Sequence, residues 1–423
     1  MRVLVIGGGA AGMFFSILAA EGGAKVTLLE KNERLGKKLY ITGKGRCNFT
    51  NACTPEEFRA NVVTNRKFLF SASEALTSGD VIDLFESWGL RTKVERGRRA
   101  FPASDCSADV IDMLVRRMRK NHVEVRLGTE VTRLITEEAD PADGKVCVKG
   151  AEIRCRGSRE RLFADDVVLA TGGMSYPSTG STGDGYRFAG DLGLAVTQLY
   201  PSLVPFNCRE EYVKNLQGLS LKNVKLSIRN GKKLLFEEFG ELLFTHFGIS
   251  GPLTLSASAL TGPLVGKEHL SCSIDLKPAV TNEQLSDRFL RVFSENPKKE
   301  LKNVMHLFYP SKMTPVIPAL AETDEEKQCG SISREERERL VRVTKQFPLT
   351  LRSLRGMNEA VVTKGGIDVR EVDPRSMAAK KVRGLYCIGE LLDVDAFTGG
   401  YNLQIAWCTA AACARAITGK EHV

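Results

Sequence analysis

Three glycines spaced Gly7-x-Gly9-x-x-Gly12, with an acid, Glu30, eighteen residues beyond the last, are the residues whose types and spacing most plainly specify chemistry. The first glycine permits a tight turn. The second lets backbone approach a pyrophosphate, and the third lets a helix pack closely on a strand. Ala10 and Ala11 fill the same loop, so the helix start offers N–H groups and a positive dipole end to phosphate. Glu30 can accept hydrogen bonds from a ribose 2′-OH and would repel a 2′-phosphate. The fingerprint therefore suits FAD or NAD rather than NADP.

Further segments separate those two. A basic, donor-rich loop follows the acid directly, from Arg34 through Lys37, Thr42 and Gly43 to Asn48, and suits a long, doubly phosphorylated cofactor. Thr171-Gly172-Gly173 follows a buried apolar run, as in the second nucleotide-contact segment of glutathione-reductase-type flavoproteins. Gly389-Glu390, with Asp393, follows another and matches the segment that holds a ribityl chain and phosphate. Three such segments in this order favour FAD. A second G-x-G-x-x-G for nicotinamide is not visible, so NAD(P)H is expected only as a transient electron donor.

The elements that must position these residues are legible around them. Residues 3–6 form a continuous apolar run, expected of a buried parallel strand. Met13, Phe14, Ile17 and Leu18 recur at helical spacing, and Gly22-Gly23 ends that helix. Residues 26–30 are a second buried strand, which completes the strand–loop–helix–strand context that a dinucleotide fingerprint requires. Residues 31–54 are too irregular to predict an element, and 55–122 are mostly helical. Residues 123–127 alternate as a strand. Several short strands follow, with turn signals at Asp143-Gly144 and Gly157-Ser158, and end in the buried strand 166–170. Residues 195–270 are strand-rich, 281–345 are charged and helical, and buried-strand character returns at 382–388 before an Ala-rich helix over 401–417. The first and last segments are alike, which predicts one α/β domain split by an insertion.

Composition narrows the classes. The 423 residues are 43% apolar and 26% charged, ordinary for a globular chain. No apolar run reaches the length of a membrane span, and the opening run is too short for a signal peptide, so no membrane contact is expected. The 11 cysteines contain no C-x-x-C pair. That argues against zinc ribbons or other metal sites and fits a reducing cytoplasm. The net charge of +9 is spread over short clusters at 96–99, 116–120 and 298–302, which read as solvated helix ends and loops. No helix-turn-helix, zinc-finger or RNP pattern supports nucleic-acid binding. The partner expected is a small-molecule substrate.

Five strings then make the chain recognisable. They are Gly43-Lys-Gly-Arg-Cys-Asn-x-Thr-Asn51, Thr171-Gly-Gly-x-Ser-Tyr-Pro-x-Thr-Gly-Ser-Thr-Gly-Asp-Gly185, Phe244-Thr-His-Phe-Gly-Ile-Ser-Gly-Pro252, Gly389-Glu-x-Leu-Asp-Val-Asp395 and Gly399-Gly-Tyr-Asn-Leu-Gln404. Together they resemble the BaiN-type, aminoacetone-oxidase-like family of bacterial flavoproteins, from residue 1 to about 418. The resemblance implies a split Rossmann-like FAD-binding domain of the glutathione-reductase type, with an inserted β-barrel domain and a small helical domain. The expected boundaries are 1–190 and 346–423 for the FAD-binding domain, 191–275 for a barrel-like substrate domain and 276–345 for the helical insertion.

The same resemblance implies residue roles. Ala11 and Gly12 should sit at the pyrophosphate and Glu30 at the adenosine ribose. Lys31, Arg34, Lys37 and Thr42 should line the phosphate or ribityl run, with Asn48 and Asn51 on the flavin side. Val131 should present backbone to the adenine. Thr171 and Gly172 should contact the nucleotide half, with Asp184 near the cofactor. Gly400, Tyr401, Asn402 and Leu403 should place a helix N-terminus by the flavin ring, where it would stabilise negative charge. His246 reads first as a partly buried barrel histidine satisfied by backbone, and second as a poised acid or base. Tyr401 could donate a proton or simply pack. Cys47 and Cys53 have the wrong spacing for a redox pair, so Cys47 reads as a small apolar filler. The implied activity is NAD(P)H-linked, FAD-dependent reduction of a conjugated C=C bond, such as that of a 3-oxo bile acid intermediate. Aminoacetone oxidation with release of hydrogen peroxide is one alternative. A flavin-dependent protein that interacts with nucleic acid is another.

Overall fold

The computed structural model describes residues 1–138 and 144–420. The turn expected at Asp143 lies outside them. The chain divides into two units, Met1–Pro201 with Met357–Val423, and Ser202–Gly356.

The first unit is built on a five-stranded parallel sheet in the order Leu385–Cys387, Asp166–Leu169, Arg2–Ile6, Lys25–Leu29, Glu124–Arg126. The central strands are apolar throughout because both sheet faces are covered. Val5, opposite Val168 and Leu28, is fully buried. The Ala10–Glu21 helix is also buried on all sides, from Ala11 to Ala19. The Tyr401–Thr418 helix lies against it, with Trp407 stacking on Phe14 at 5.3 Å and Thr418 filling the space that a side chain at Gly22 would need. An antiparallel meander follows Glu124–Arg126: Thr129–Glu137, Val146–Cys155 and Ser158–Phe163. The chain then enters the parallel sheet at Asp166. The stretch 31–54, for which no element was predicted, holds a short helix, Lys37–Ile41, a tight turn, Thr42–Gly45, and a two-residue strand, Thr50–Asn51.

The second unit is a closed six-stranded barrel. Phe206–Cys208, Gly248–Ser250, Lys233–Phe244, Ser220–Asn230, Leu270–Asp275 and Phe347–Leu354 pair in that order, and the last closes on the first. The helices Asn282–Glu295 and Arg334–Lys345 connect the fifth and sixth strands. Their Phe289, Phe293 and Leu340 share one core with the barrel's Ile274 and Phe347, so the helical segment has no separate core. The units break at 201/202 and 356/357 rather than at 190/191 and 345/346. Two pairings explain the shift. Phe347–Leu354 completes the barrel through hydrogen bonds on both sides, and residues 195–197 bond to Gly366 and Asp368 of the first unit. Among the described residues, no helix is long and apolar enough to cross a membrane.

Phe347 is fully buried, edge-on to Tyr212 at 5.5 Å and to Phe244 at 6.0 Å. Phe347→Ala is expected to cost about 3–5 kcal/mol, read as a lower urea midpoint for the barrel signal.

Candidate functional site

Gly7, Thr171 and Gly389 each follow directly on the carboxyl end of one of three adjacent parallel strands, the place where open α/β sheets bind ligands. The glycines are fixed by contact. A Cβ on Gly7, at φ +111°, would lie 2.5 Å from the Ala170 carbonyl oxygen, and one on Gly12 would lie 2.0 Å from the Gly7 oxygen. A Cβ on Gly389 would lie 2.9 Å from Ala11. Gly9 meets nothing within 4 Å, so backbone is open to approach at that point. No side chain caps the Ala10–Glu21 helix, which leaves its first N–H groups for an anion.

Glu30 is 8% exposed and braces this loop. Its Oε2 accepts from Gly8 N at 2.8 Å, and its Oε1 accepts from Asn32 N at 2.8 Å and Asn32 Nδ2 at 2.7 Å. Lys31 donates to Thr182 Oγ1 and to Asp184 Oδ2, both at 2.5 Å, which ties the second strand's end to the glycine-rich loop 180–185. Lys37 Nζ lies 3.3 Å from Asn32 Oδ1 and 3.4 Å from Glu33. Thr42 Oγ1 donates to the Leu39 carbonyl, and Gly43 turns left-handed at φ +58°.

A second cluster forms where the chain's late residues meet its early ones. Asn51 Nδ2 donates to the carbonyls of Gly97 and Gly399, each at 3.0 Å. Gly400, at φ +100°, is pressed so close to Thr50 that a Cβ would lie 2.4 Å from its backbone. Gly400 is also the N-cap of the 18-residue Tyr401–Thr418 helix, which no side chain caps. Its dipole presents roughly half a positive charge there. The side chains of its first turn do different jobs. Asn402 faces its own loop, with Oδ1 accepting from Ala396 N at 3.0 Å and Nδ2 donating to Ala396 O at 2.8 Å. Tyr401 is half-buried beside Phe58. Burial raises its phenol pKa, and the nearby Cys53 and Glu57 add to the shift. Leu403 is half-buried.

Some expected residues are not brought into these clusters. Arg34 is exposed, over the Tyr40 ring at 5.2 Å. Val131 is a buried strand residue opposite Ile153. His246 belongs to the barrel unit. It is exposed and edge-on to Phe247 at 5.0 Å, so the partly buried environment expected for it is corrected: it occupies the tight turn between two barrel strands. Cys47 is fully buried, and burial pushes its thiol up to about 12, which leaves it an inert filler.

Sequence reasoning missed the partners. Glu390 accepts from Lys38 Nζ at 2.6 Å and 2.8 Å, from Ser175 Oγ at 3.1 Å and from Thr363 N at 3.0 Å. Thr409 accepts from Gly389 N at 3.0 Å, and Trp407 Nε1 donates to the Phe49 carbonyl at 2.8 Å. Gln404 accepts from Thr50 Oγ1 at 2.7 Å. Of these, only Lys38 and Gln404 sat inside strings singled out by spacing.

A flavin dinucleotide fits this donor set. Two uncapped helix N-termini and an open Gly9 face the strand ends. In addition, Asn48 Oδ1 and Thr171 Oγ1 are buried without a hydrogen-bond partner among the described residues. Buried polar atoms left unpaired in this way call for a ligand or water.

The parallel sheet, glycine loop, bracing acid and returning C-terminal helix define an FAD-binding flavoprotein with a Rossmann-like core. Residues 1–416 match the family described as HI0933-like protein Rossmann domain, and the chain belongs to it. It is 32% identical over 427 residues, 98% of each chain, to the 3-dehydro-bile acid delta(4,6)-reductase of Clostridium scindens. It is also 32% identical over 412 residues, 97% of this chain and 96% of the other, to the ribosomal RNA dihydrouridine synthase of Escherichia coli. The crystal structure of 3-ketosteroid-delta4-(5alpha)-dehydrogenase from Rhodococcus jostii RHA1 shares the fold, with a TM-score of 0.53, 17% identity and coverage of 97% and 96%. The protein is an FAD-dependent oxidoreductase.

Two predictions follow from the site's contacts. Glu30→Ala removes charged hydrogen bonds to two backbone N–H groups of the glycine loop, each bond worth about 1.5–3 kcal/mol. FAD affinity should fall roughly 10- to 100-fold or more in a fluorescence titration. Asp393 is half-buried. Burial raises its pKa, a hydrogen bond from Thr197 offsets part of the rise, and repulsion from Asp395 adds to it. A carboxyl whose folded value lies above its unfolded one opposes folding once ionised, and the penalty grows as pH rises through the folded value. Asp393→Asn should therefore raise the melting temperature at neutral pH and leave it unchanged near pH 3, measured by calorimetry across that range.

Proposed function

We propose that this protein reduces a C=C bond conjugated to a carbonyl group, with NADH or NADPH as the transient electron donor. The observation that carries this reading is the uncapped N-terminus of the Tyr401–Thr418 helix, pinned by Gly400 against Thr50. Bound FAD supplies the hydride chemistry. The helix end holds negative charge on the ring side, and Asn51 fixes the loop in front of it through its two backbone carbonyl contacts. The glycine loop and Glu30 orient the nucleotide half.

The lead substrate is an apolar enone or dienone of the 3-oxo bile acid type, supported by the match to a delta(4,6)-reductase over 98% of both chains. A uridine in ribosomal RNA is the second reading, favoured by the net charge of +9 and by the equally long match to a dihydrouridine synthase. Both substrates present the same reacting unit, because the C5=C6 bond of uracil is conjugated to its C4 carbonyl.

Anaerobic spectra of the purified protein provide the test. NADH or NADPH should bleach the flavin band, and a 3-oxo-4,6-diene bile acid or a uridine-containing ribosomal RNA fragment should restore it. Peroxide formation from aminoacetone without a nicotinamide nucleotide would overturn the reductase reading.

A further inference from the structure

Between the Lys37–Ile41 helix and the Thr50–Asn51 strand, the chain makes a left-handed turn. Gly43, Lys44 and Gly45 have φ values of +58°, +58° and +85°. Glycine adopts this conformation freely, whereas a side chain there is strained. Lys44 is held in it from both sides. Before the turn, Thr42 Oγ1 bonds to the Leu39 carbonyl. Within it, Arg46 N donates to Gly43 O and Cys47 N donates to Thr42 O. After it, the Arg46 guanidinium lies over Phe101 at 4.2 Å and pairs with Glu95 and Asp105, while Phe49 bonds to Ala100 and Trp407.

What such a turn presents is an ammonium group. Lys44 is exposed and makes no hydrogen bond or ion pair among the described residues. The turn sits directly on Asn48, with the Cβ position of Gly43 lying 3.1 Å from Asn48 N. Asn48 Oδ1 is the buried oxygen without a partner. From Asn48 the chain runs two residues to Thr50, which abuts the N-cap of the Tyr401–Thr418 helix. A third glycine would make the turn with less strain, so the lysine has a use other than folding.

We propose that Lys44 is the cation that takes up the negative charge developing on the substrate's carbonyl oxygen at the mouth of the cofactor recess. This rests on the reductase reading above and applies to a dienone and to uracil alike. Hydride from the reduced cofactor forms a C–H bond at the β-carbon. The π pair of the C=C bond moves toward the carbonyl oxygen, and the resulting enolate is held by the ammonium. Water delivers a proton to the α-carbon and the carbonyl re-forms. The substrate gains two hydrogens and the cofactor is oxidised. Lys44 supplies charge and no proton.

The test starts from photoreduced holoenzyme mixed anaerobically with a 3-oxo-4,6-diene bile acid or, separately, with a uridine-containing ribosomal RNA fragment, and follows flavin reoxidation. Lys44→Ala and Lys44→Gly should reoxidise about 100-fold more slowly, the usual cost of one oxyanion donor. Lys44→Arg should stay within about tenfold of wild type, and added ethylammonium should restore part of the Lys44→Gly rate. Flavin content should be unchanged, and the melting temperature of Lys44→Gly should equal or exceed that of wild type. A purely structural lysine predicts the same stability result with no loss of rate, and wild-type rates in Lys44→Ala overturn the proposal. A loss confined to RNA and abolished by salt would make Lys44 a phosphate contact, which also overturns it. If neither compound reoxidises wild-type enzyme, the reductase reading fails and the proposal falls with it. If only the variants behave as wild type, the reading stands without Lys44.

Discussion

The first unit depends on one close approach, backbone against backbone, between Gly400 and Thr50. Two segments 350 residues apart in sequence come so near that even a methyl group would collide. The contact is fastened on either side by Trp407 to Phe49, Thr50 to Gln404 and Asn51 to Gly399. It aims the N-terminus of an 18-residue helix at the strand ends where the glycine loop opens. Moving that helix would disturb both the Phe14–Trp407 packing and the electrostatics of the site, so core and site are held by the same residues.

Charge is organised around this frame in closed pairs. Glu30 is saturated by its own loop, Glu390 by Lys38, Ser175 and Thr363, and Asp184 by Lys31. These carboxylates act first as struts between strand-end loops, and any contact with a ribose or ribityl hydroxyl must share oxygens already in use. Positive potential is therefore left to backbone N–H groups at two helix starts and to the exposed Lys44.

The parts of this arrangement that were legible in sequence are local. The glycine spacing, the apolar runs of Arg2–Ile6 and Lys25–Leu29, and the Ala-rich helix from Tyr401 each declare themselves within about 20 residues, because periodicity and glycine's steric freedom are short-range properties. Resemblance to a family added the barrel. The pairings remained hidden. Lys38 and Glu390 are separated by 352 positions and carry no periodic mark. Phe347–Leu354 reads as a strand of either unit until its two barrel neighbours are known. The Lys37–Ile41 helix is a single turn entered through left-handed Gly36, too short for a pattern. His246 was drawn toward the interior by its apolar neighbours, while the tight turn that holds it points it outward.

The split of the first unit also has a consequence for biosynthesis. The glycine loop is among the first residues to leave the ribosome, but the strand Leu385–Cys387 and the helix that closes the site are among the last. At ordinary elongation rates of about 5–20 residues per second, the nucleotide fingerprint waits roughly 20–80 s for the rest of its pocket. Flavin capture is thus a late event that reads out completion of the chain. Fragments ending before residue 401 would carry the fingerprint but lack the helix that completes the site.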